Sequence, residues 1–361
     1  MKRNLLLTPG PTQVPVELCE VLGKPIIHHR TPQFQEYLKQ AVEGLQYVLQ
    51  TKNDVYLIAG SGTAAMEASV CSFLSPGDQV ITVEAGKFGE RWTEICRAYG
   101  IQPHVISVKW GKSVDATEIK KVLDANKEIK AVYVTLSETS TGTGADIEAI
   151  GAVVKNTNAI LVVDAVSGLG VSEIKTDLWS ADVVASASHK GLMLPPGVAF
   201  ASVSAKAANL METSKCPKYY FDLRKYKKAA AKTDTPFTPS IGIVIALVKS
   251  LQMIKEIGIE NLFKNYNRMA KATRAAVKAL GLTIYAEESA MSSVLTPVNV
   301  PAGVDGEKLV KRMRDTYGIT MAGGQDELKG KIFRMAHMGC IDEYDILTGI
   351  SCLEKVLKEQ G

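Results

Sequence analysis

Long hydrophobic runs are absent from this sequence. The longest apolar segment, Ile241 to Val248, stops at Lys249, far short of the roughly 18 apolar residues of a membrane-spanning helix. The start, Met1 to Leu7, has two basic residues and an apolar run too short for a secretory h-region before Pro9, Gly10 and Pro11. The expectation is a cytoplasmic protein with no membrane partner. Cysteine is scarce, six in 361 residues with no C-x-x-C pair. That density excludes a disulfide scaffold and suggests scattered buried thiols, with no metal site expected. Charge of one sign is also lacking. Lys and Arg number 42 against 38 Asp and Glu, a net +4, too weak a field for a nucleic-acid partner. What is present is a 46% hydrophobic, 22% charged composition, which excludes a disordered chain. The length predicts one large domain and a smaller one.

From residue 55 the chain alternates short apolar runs with amphipathic stretches. Strands are predicted at Val55–Ala59, Val80–Val83, Val105–Val108, Ala131–Thr135, Ile160–Val163, Val183–Ser186 and Val198–Val203. Helices are predicted between them, from about Thr63 to Leu74, Glu90 to Tyr99, Asp115 to Ala125 and Asp146 to Asn156. Near-continuous apolar strands separated by helices indicate an α/β fold with a mostly parallel sheet covered on both faces. After residue 204 the pattern changes to loops or short helices, then long helices at Ile241–Ile257 and Ile259–Leu280. An α+β tail follows: a strand from Leu282, a helix over Gly306–Tyr317, short strands near Thr320 and Phe333, and a helix over Asp342–Lys358. Pro9, Pro11 and Pro15 predict an irregular arm over residues 1–25.

Gly60-Ser61-Gly62-Thr63 stands between a strand and a helix. Backbone N–H groups and two hydroxyls at a helix N-terminus suit a phosphate. The spacing Gly60-x-Gly62-x-x-Ala65 also fits a dinucleotide fingerprint, with Glu84 in the place of the ribose acid. A plain glycine turn before a capped helix has the same composition. This loop alone does not separate the three.

Asp164 ends one apolar strand and Lys190 follows another. Open α/β sheets bind ligands at that carboxyl edge. Separately, each residue also reads as a turn aspartate and a surface lysine. Together they fit one chemistry. A lysine amine forms a Schiff base with an aldehyde cofactor, a carboxylate pairs with a protonated pyridine nitrogen, and the glycine loop holds a phosphate. Phe88 could stack on such a ring. These are the groups pyridoxal phosphate needs, and a dehydrogenase needs neither the lysine nor this aspartate.

At this point the sequence resembles the class V aminotransferases of the fold-type I pyridoxal phosphate enzymes, and most of all the alanine–glyoxylate and serine–pyruvate (serine–glyoxylate) branch. The resemblance rests on Leu7-Thr8-Pro9-Gly10-Pro11-Thr12, Gly60-Ser61-Gly62-Thr63, Gly86-Lys87-Phe88-Gly89-Glu90-Arg91, Ser137-Glu138-Thr139-Ser140-Thr141-Gly142, Val163-Asp164-Ala165-Val166-Ser167, Ser186-Ala187-Ser188-His189-Lys190-Gly191 and Phe333-Arg334-Met335. It spans nearly the whole chain.

The resemblance implies a large domain with a mostly parallel seven-stranded sheet between helices and a small α+β C-terminal domain. It implies a homodimer with shared active sites and pyridoxal 5'-phosphate as cofactor. The expected boundaries are 1–25 for the arm, 26–260 for the large domain and 261–361 for the small one, with part of the N-terminal segment. Lys190 matches the Schiff-base lysine and Asp164 the pyridine partner. Ser61, Gly62, Thr63 and His189 match phosphate-binding positions, Phe88 the stacking aromatic, Thr139 the hydroxyl near O3′ and Val166 the residue beneath the ring. Thr238 matches a threonine given to the neighbouring subunit's phosphate, while Thr235 replaces a frequent tyrosine. Arg334 matches the grip on the substrate α-carboxylate, for which a planar fork is suited. Gly10 and Pro11 could line a small-substrate pocket. His28, His29 and Arg30 lie where the family's N-terminal segment approaches the dimer's sites, or form a plain polar turn. His104 and His337 have no evident partner and read as structural.

The implied reaction moves an amino group from alanine or serine to glyoxylate or pyruvate by ping-pong kinetics. Rivals within the fold are a phosphonate or ureidoglycine aminotransferase, or a lyase. A cysteine desulfurase is disfavoured, because neither Cys340 nor Cys352 stands in a recognisable loop of that type. From other classes, an NAD-dependent oxidoreductase and a non-catalytic scaffold remain.

Overall fold

The computed structural model describes residues 4–360, so the basic start at Met1 to Arg3 lies outside the described residues. The chain runs β1 (Leu5–Leu7), α1 (Val16–Leu22), α2 (Pro32–Leu49), β2 (Asp54–Gly60), α3 (Gly62–Cys71), β3 (Gln79–Glu84), α4 (Lys87–Ala98) and β4 (Gln102–Ser107). It continues α5 (Ala116–Ala125), β5 (Ile129–Thr135), the short pair β6 (Ser137–Glu138) and β7 (Thr143–Gly144), α6 (Ile147–Val154), β8 (Ile160–Asp164), β9 (Val183–Ala187) and β10 (Gly197–Val203). After α7 (Ala205–Thr213), α8 (Leu223–Ala230), α9 (Ile241–Ile257) and α10 (Ile259–Ala279) come β11 (Leu295–Asn299), α11 (Gly306–Tyr317), β12 (Ile319–Gly323), β13 (Ile332–Ala336) and α12 (Glu343–Gln360).

Seven strands form one sheet in the order β2-β10-β9-β8-β5-β3-β4. Only β10 runs against its neighbours; the other pairings are parallel. The central strands are apolar along their length because both faces are covered. Val163 and Val184 face one apolar layer, Val162 and Ala185 the other. A second sheet of four strands has the order β1-β12-β13-β11.

Two expectations need correction, and one helix is additional. The arm is not irregular: Leu5–Leu7 pair in parallel with Ile319–Met321 of the small sheet, and α1 starts right after Pro15. Proline there is tolerated because a first helical turn has no intrahelical acceptor for its N–H groups. The strand predicted from Leu282 is displaced. Ile284 makes only an isolated bridge to Val298, and the strand proper is Leu295–Asn299. Finally, α2 has no counterpart in the sequence-based reading, although Thr31 caps it by accepting the Phe34 N–H and Pro32 opens it. No described helix is long and apolar enough to cross a membrane.

Candidate active site

The parallel strands bring their carboxyl ends into line. Thr135 of β5 pairs with Asp164 of β8, and Asp164 with Ala185 of β9. Beyond that edge lies a cavity of about 200 Å³. Ser61, Gly62, Thr63, Phe88, Asp164, Val166, His189 and Lys190 all line it. Residues separated by up to 129 positions thus meet. Arg91 and Ser137 line the same cavity, although no sequence motif assigns them a role. The signal for Arg91 was its place one helical turn beyond Phe88, which puts both on one face of α4. A larger cavity, about 470 Å³, lies between α2, β2 and α8, away from Lys190. Its size reflects a groove at the sheet edge rather than a gathering of reactive groups.

Lys190 is buried, 8% exposed. Its Nζ donates to the Pro9 carbonyl oxygen at 2.7 Å, and its own carbonyl accepts the Thr12 hydroxyl at 2.8 Å. The arm therefore lies on the lysine. Gly10 is required there: it has φ +134°, and a Cβ on it would lie 2.3 Å from Lys190 Nζ. Burial lowers the Lys190 amine to about 8, with Asp164 opposing and Arg334 and Arg91 adding to the drop. Burial raises the Asp164 carboxyl to about 6, against the Val166 N–H that donates to it at 2.8 Å. His189 is lowered to about 4 by burial and then by Lys190.

Arg334 projects from β13. Its Nε donates to the Gly323 carbonyl at 2.9 Å and its Nη1 to the Thr139 carbonyl at 2.8 Å. These bonds orient the fork. Thr139 is itself buried. Burial lowers the Arg334 guanidinium to about 10.

The residues fit a phosphorylated pyridine aldehyde. His189 Nδ1 is a buried polar atom with no partner. Gly62 opens α3, and a Cβ there would strike Val166 Cγ2 at 2.6 Å, so the loop approaches the cavity floor as no other residue could. Ser61 makes no side-chain cap bond, leaving its hydroxyl and the first N–H groups of α3 for an anion.

Other sequence candidates lie elsewhere. Pro11 and Thr238 are exposed and neither lines the cavity. Thr235 is buried and donates to the Phe237 carbonyl at 2.8 Å. Arg30 forms an ion pair with Asp234, and its N–H donates to His28 Nδ1 at 3.1 Å. Glu84, the dinucleotide alternative, is not among the cavity residues, nor is Cys340. The two histidines read as lacking partners have them: His104 Nε2 bonds Gln79 Oε1 at 2.7 Å and His337 Nε2 bonds Thr296 Oγ1 at 3.1 Å. Cysteines divide evenly, with Cys71, Cys96 and Cys216 buried, Cys19 exposed and Cys340 and Cys352 between. Among the described residues no three His, Cys, Asp or Glu side chains gather as a metal ion would require.

A seven-stranded α/β sheet with a buried lysine and aspartate at its carboxyl edge, and a small sheet supplying an arginine, is the architecture of the fold-type I pyridoxal phosphate enzymes. The family model for class-V aminotransferases matches residues 17–338, and the chain belongs to that family. It is an aminotransferase. A relative from Synechococcus sp. (strain PCC 6716), named soluble hydrogenase, small subunit, is 46% identical over 99% of this chain and 94% of its own length. The L-aspartate–glyoxylate aminotransferase of Paracoccus denitrificans (strain Pd 1222) is 34% identical over 99% of this chain and 92% of its own. The crystal structure of ureidoglycine–glyoxylate aminotransferase from Bacillus subtilis superposes with a TM-score of 0.96 at 30% identity, covering 100% of this chain and 94% of the other.

Proposed function

We propose that this aminotransferase binds pyridoxal phosphate through Lys190 and moves the amino group of a small amino acid, alanine or serine, to a small 2-oxo acid, glyoxylate or pyruvate. It does so in two half-reactions, as a cytoplasmic homodimer with shared sites. The observation that carries this reading is the convergence of Lys190 and Asp164 in one cavity, close enough to Arg334 for its charge to help lower the lysine amine.

Each side chain has a task. Ser61, Thr63, His189 and the N–H groups of Gly62 and Thr63 hold the cofactor phosphate. Phe88 and Val166, both lining the cavity, would hold the ring between them, and Thr139 would serve its hydroxyl. Thr238 serves the neighbouring subunit's phosphate. The bound cofactor supplies an electron sink that makes the donor's Cα–H acidic. Asp164 would pair with the ring nitrogen and favour its protonated form. Lys190 Nζ, lowered by burial to about 8, gives up its proton far more readily than an ordinary lysine and, once neutral, is the base for the Cα proton. Arg334 grips the α-carboxylate of donor and acceptor alike, which lets one site serve both half-reactions. Gly10 and Pro11 bound a small-substrate pocket.

Glyoxylate is the acceptor favoured, because the Paracoccus and Bacillus proteins both carry it in their names while their donors differ. The hydrogenase name of the Synechococcus relative belongs to that protein. The side-chain set here favours amino transfer, since a desolvated lysine, a buried aspartate and an oriented arginine each have work in it.

The test is spectroscopic. Purified protein should be yellow and lose that absorbance on borohydride treatment, and a panel of donors should bleach it in half-reactions that glyoxylate or pyruvate reverses. Including aminoethylphosphonate and ureidoglycine separates the related aminotransferases. A colourless protein whose melting temperature rises with NAD and not with pyridoxal phosphate overturns the reading.

A further inference from the structure

Glu138 is a carboxylate with no assigned task, 2% exposed, on the short strand β6. Burying an isolated carboxylate is costly, so four donors around it call for an explanation. Its Oε2 accepts the N–H groups of Phe88 and Gly89, each at 3.0 Å. Its Oε1 accepts the Ser140 N–H at 3.1 Å and the Ser140 hydroxyl at 2.6 Å. Ser140 Oγ in turn accepts the Lys87 N–H at 3.1 Å.

These are the first three N–H groups of α4. A helix start leaves such donors without intrahelical partners. The usual remedy is the N-cap side chain, but the N-cap here is Gly86 and provides none. Gly86 has no room for one: a Cβ would lie 2.2 Å from Ser140 Oγ and 2.6 Å from Glu138 Cδ. The cap comes instead from a segment 50 residues downstream. A negative charge at that place also complements the helix dipole.

The residue between the two clasping side chains is Thr139. Its carbonyl oxygen accepts Arg334 Nη1 at 2.8 Å. The clasp thus faces two ways, toward Phe88 at the start of α4 and toward Arg334 across the domain boundary.

We propose that Glu138 is a positioning residue for the transfer reaction, fixing Phe88 over the cofactor cavity and, through Thr139, the arginine that takes the substrate carboxylate. The proposal rests on the pyridoxal phosphate reading above and assigns within it a residue that touches neither cofactor nor substrate. Because one carboxylate serves both tasks, cofactor affinity and substrate KM are coupled through it.

Glu138→Gln tests this. An amide keeps the volume but replaces one accepting oxygen by an NH₂ group, so either the α4 pair or the Ser140 pair loses its acceptor. Cofactor-stripped protein is titrated with pyridoxal phosphate, followed by tryptophan fluorescence, with the unmodified protein in parallel. The loaded variant is assayed for KM and kcat with donor and acceptor. The expected result is a cofactor dissociation constant raised at least tenfold and both KM values raised about fivefold, with kcat changed less than either KM. Ser140→Ala, which removes only the hydroxyl bonds, should move the same quantities two- to threefold, and it carries the test if Glu138→Gln does not fold. A lowered melting temperature with unchanged cofactor affinity and unchanged KM values overturns the proposal. Failure of the unmodified protein to bind pyridoxal phosphate instead overturns the reading beneath it.

Discussion

Lys87 Nζ stands 2.8 Å from the carboxylate of Asp326. Lys87 opens α4, the helix that carries Phe88 and Arg91; Asp326 lies in the loop between β12 and β13. The end of β12 and this loop supply the Gly323 carbonyl and the Gln325 Oε1 that hold Arg334. One exposed ion pair therefore ties the rim of the Lys190 cavity to the support of Arg334. The hydrogen bond to Asp326, then that to Glu90, raises the Lys87 amine above its ordinary value.

Asp326→Asn should break this link without unfolding anything. Both partners are solvent-accessible, with side chains 31% and 58% exposed, and pairs of that kind contribute about 1 kcal/mol or less. The melting temperature should stay within about 2 °C, while KM for the amino donor rises two- to fivefold. Steady-state kinetics at low and high salt check this, because salt should raise KM of the unmodified enzyme toward that of the variant.

Arg334→Lys removes the planar fork. The guanidinium uses Nε and Nη1 on Gly323 and Thr139, and a lysine cannot satisfy both carbonyls while pairing with a carboxylate. Charge-assisted bonds of this type are worth about 1.5–3 kcal/mol. KM for donor and acceptor should rise roughly tenfold to a hundredfold together. A change confined to one substrate would show that Arg334 does not serve both half-reactions.

Gly10→Ala places a Cβ where Lys190 Nζ and Cε lie, 2.3 Å away, on backbone at φ +134° that L residues rarely adopt. The lysine must shift. Transfer should fall at least tenfold in kcat, with circular dichroism unchanged and a shifted absorbance for the bound cofactor. Unchanged kcat and spectrum would place the arm away from the reacting lysine.

Lys190→Met should abolish transfer and leave a readable pH signature. Burial holds the folded-state amine near 8 rather than its usual 10.5. Between those values the unfolded chain keeps a proton that the folded one has released, so this group makes stability rise with pH across that window. Melting curves of cofactor-free proteins from pH 8 to 10.5 should show the unmodified chain gaining on the variant. A constant difference across that range would mean the amine is not desolvated.

Legibility followed range. The seven strands of the large sheet are legible because an apolar strand covered on both faces announces itself within a few residues, whereas the two-residue strands β6 and β7 are not. Asp164 and Lys190 were readable for the same reason, each standing just past such a run. The role of Glu138 is not legible in the sequence, because its partners Phe88 and Gly89 lie about 50 positions upstream and nothing local marks them. The partners of His104 and His337 are hidden for the same cause: Gln79 and Thr296 lie 25 and 41 positions away.

By itself the sequence determined the α/β alternation, the glycine loop at the start of α3 and the candidate lysine and aspartate at strand ends. These depend on hydrophobic period and turn chemistry, which act over one element at a time. Only the tertiary structure decided that Arg334 hangs from Thr139, 195 positions away, that β1 of the arm joins the C-terminal sheet, and that Lys190 and Asp164 are buried enough for their proton affinities to move toward each other. Burial is a property of what packs around a group, and no short stretch of chain specifies its own surroundings.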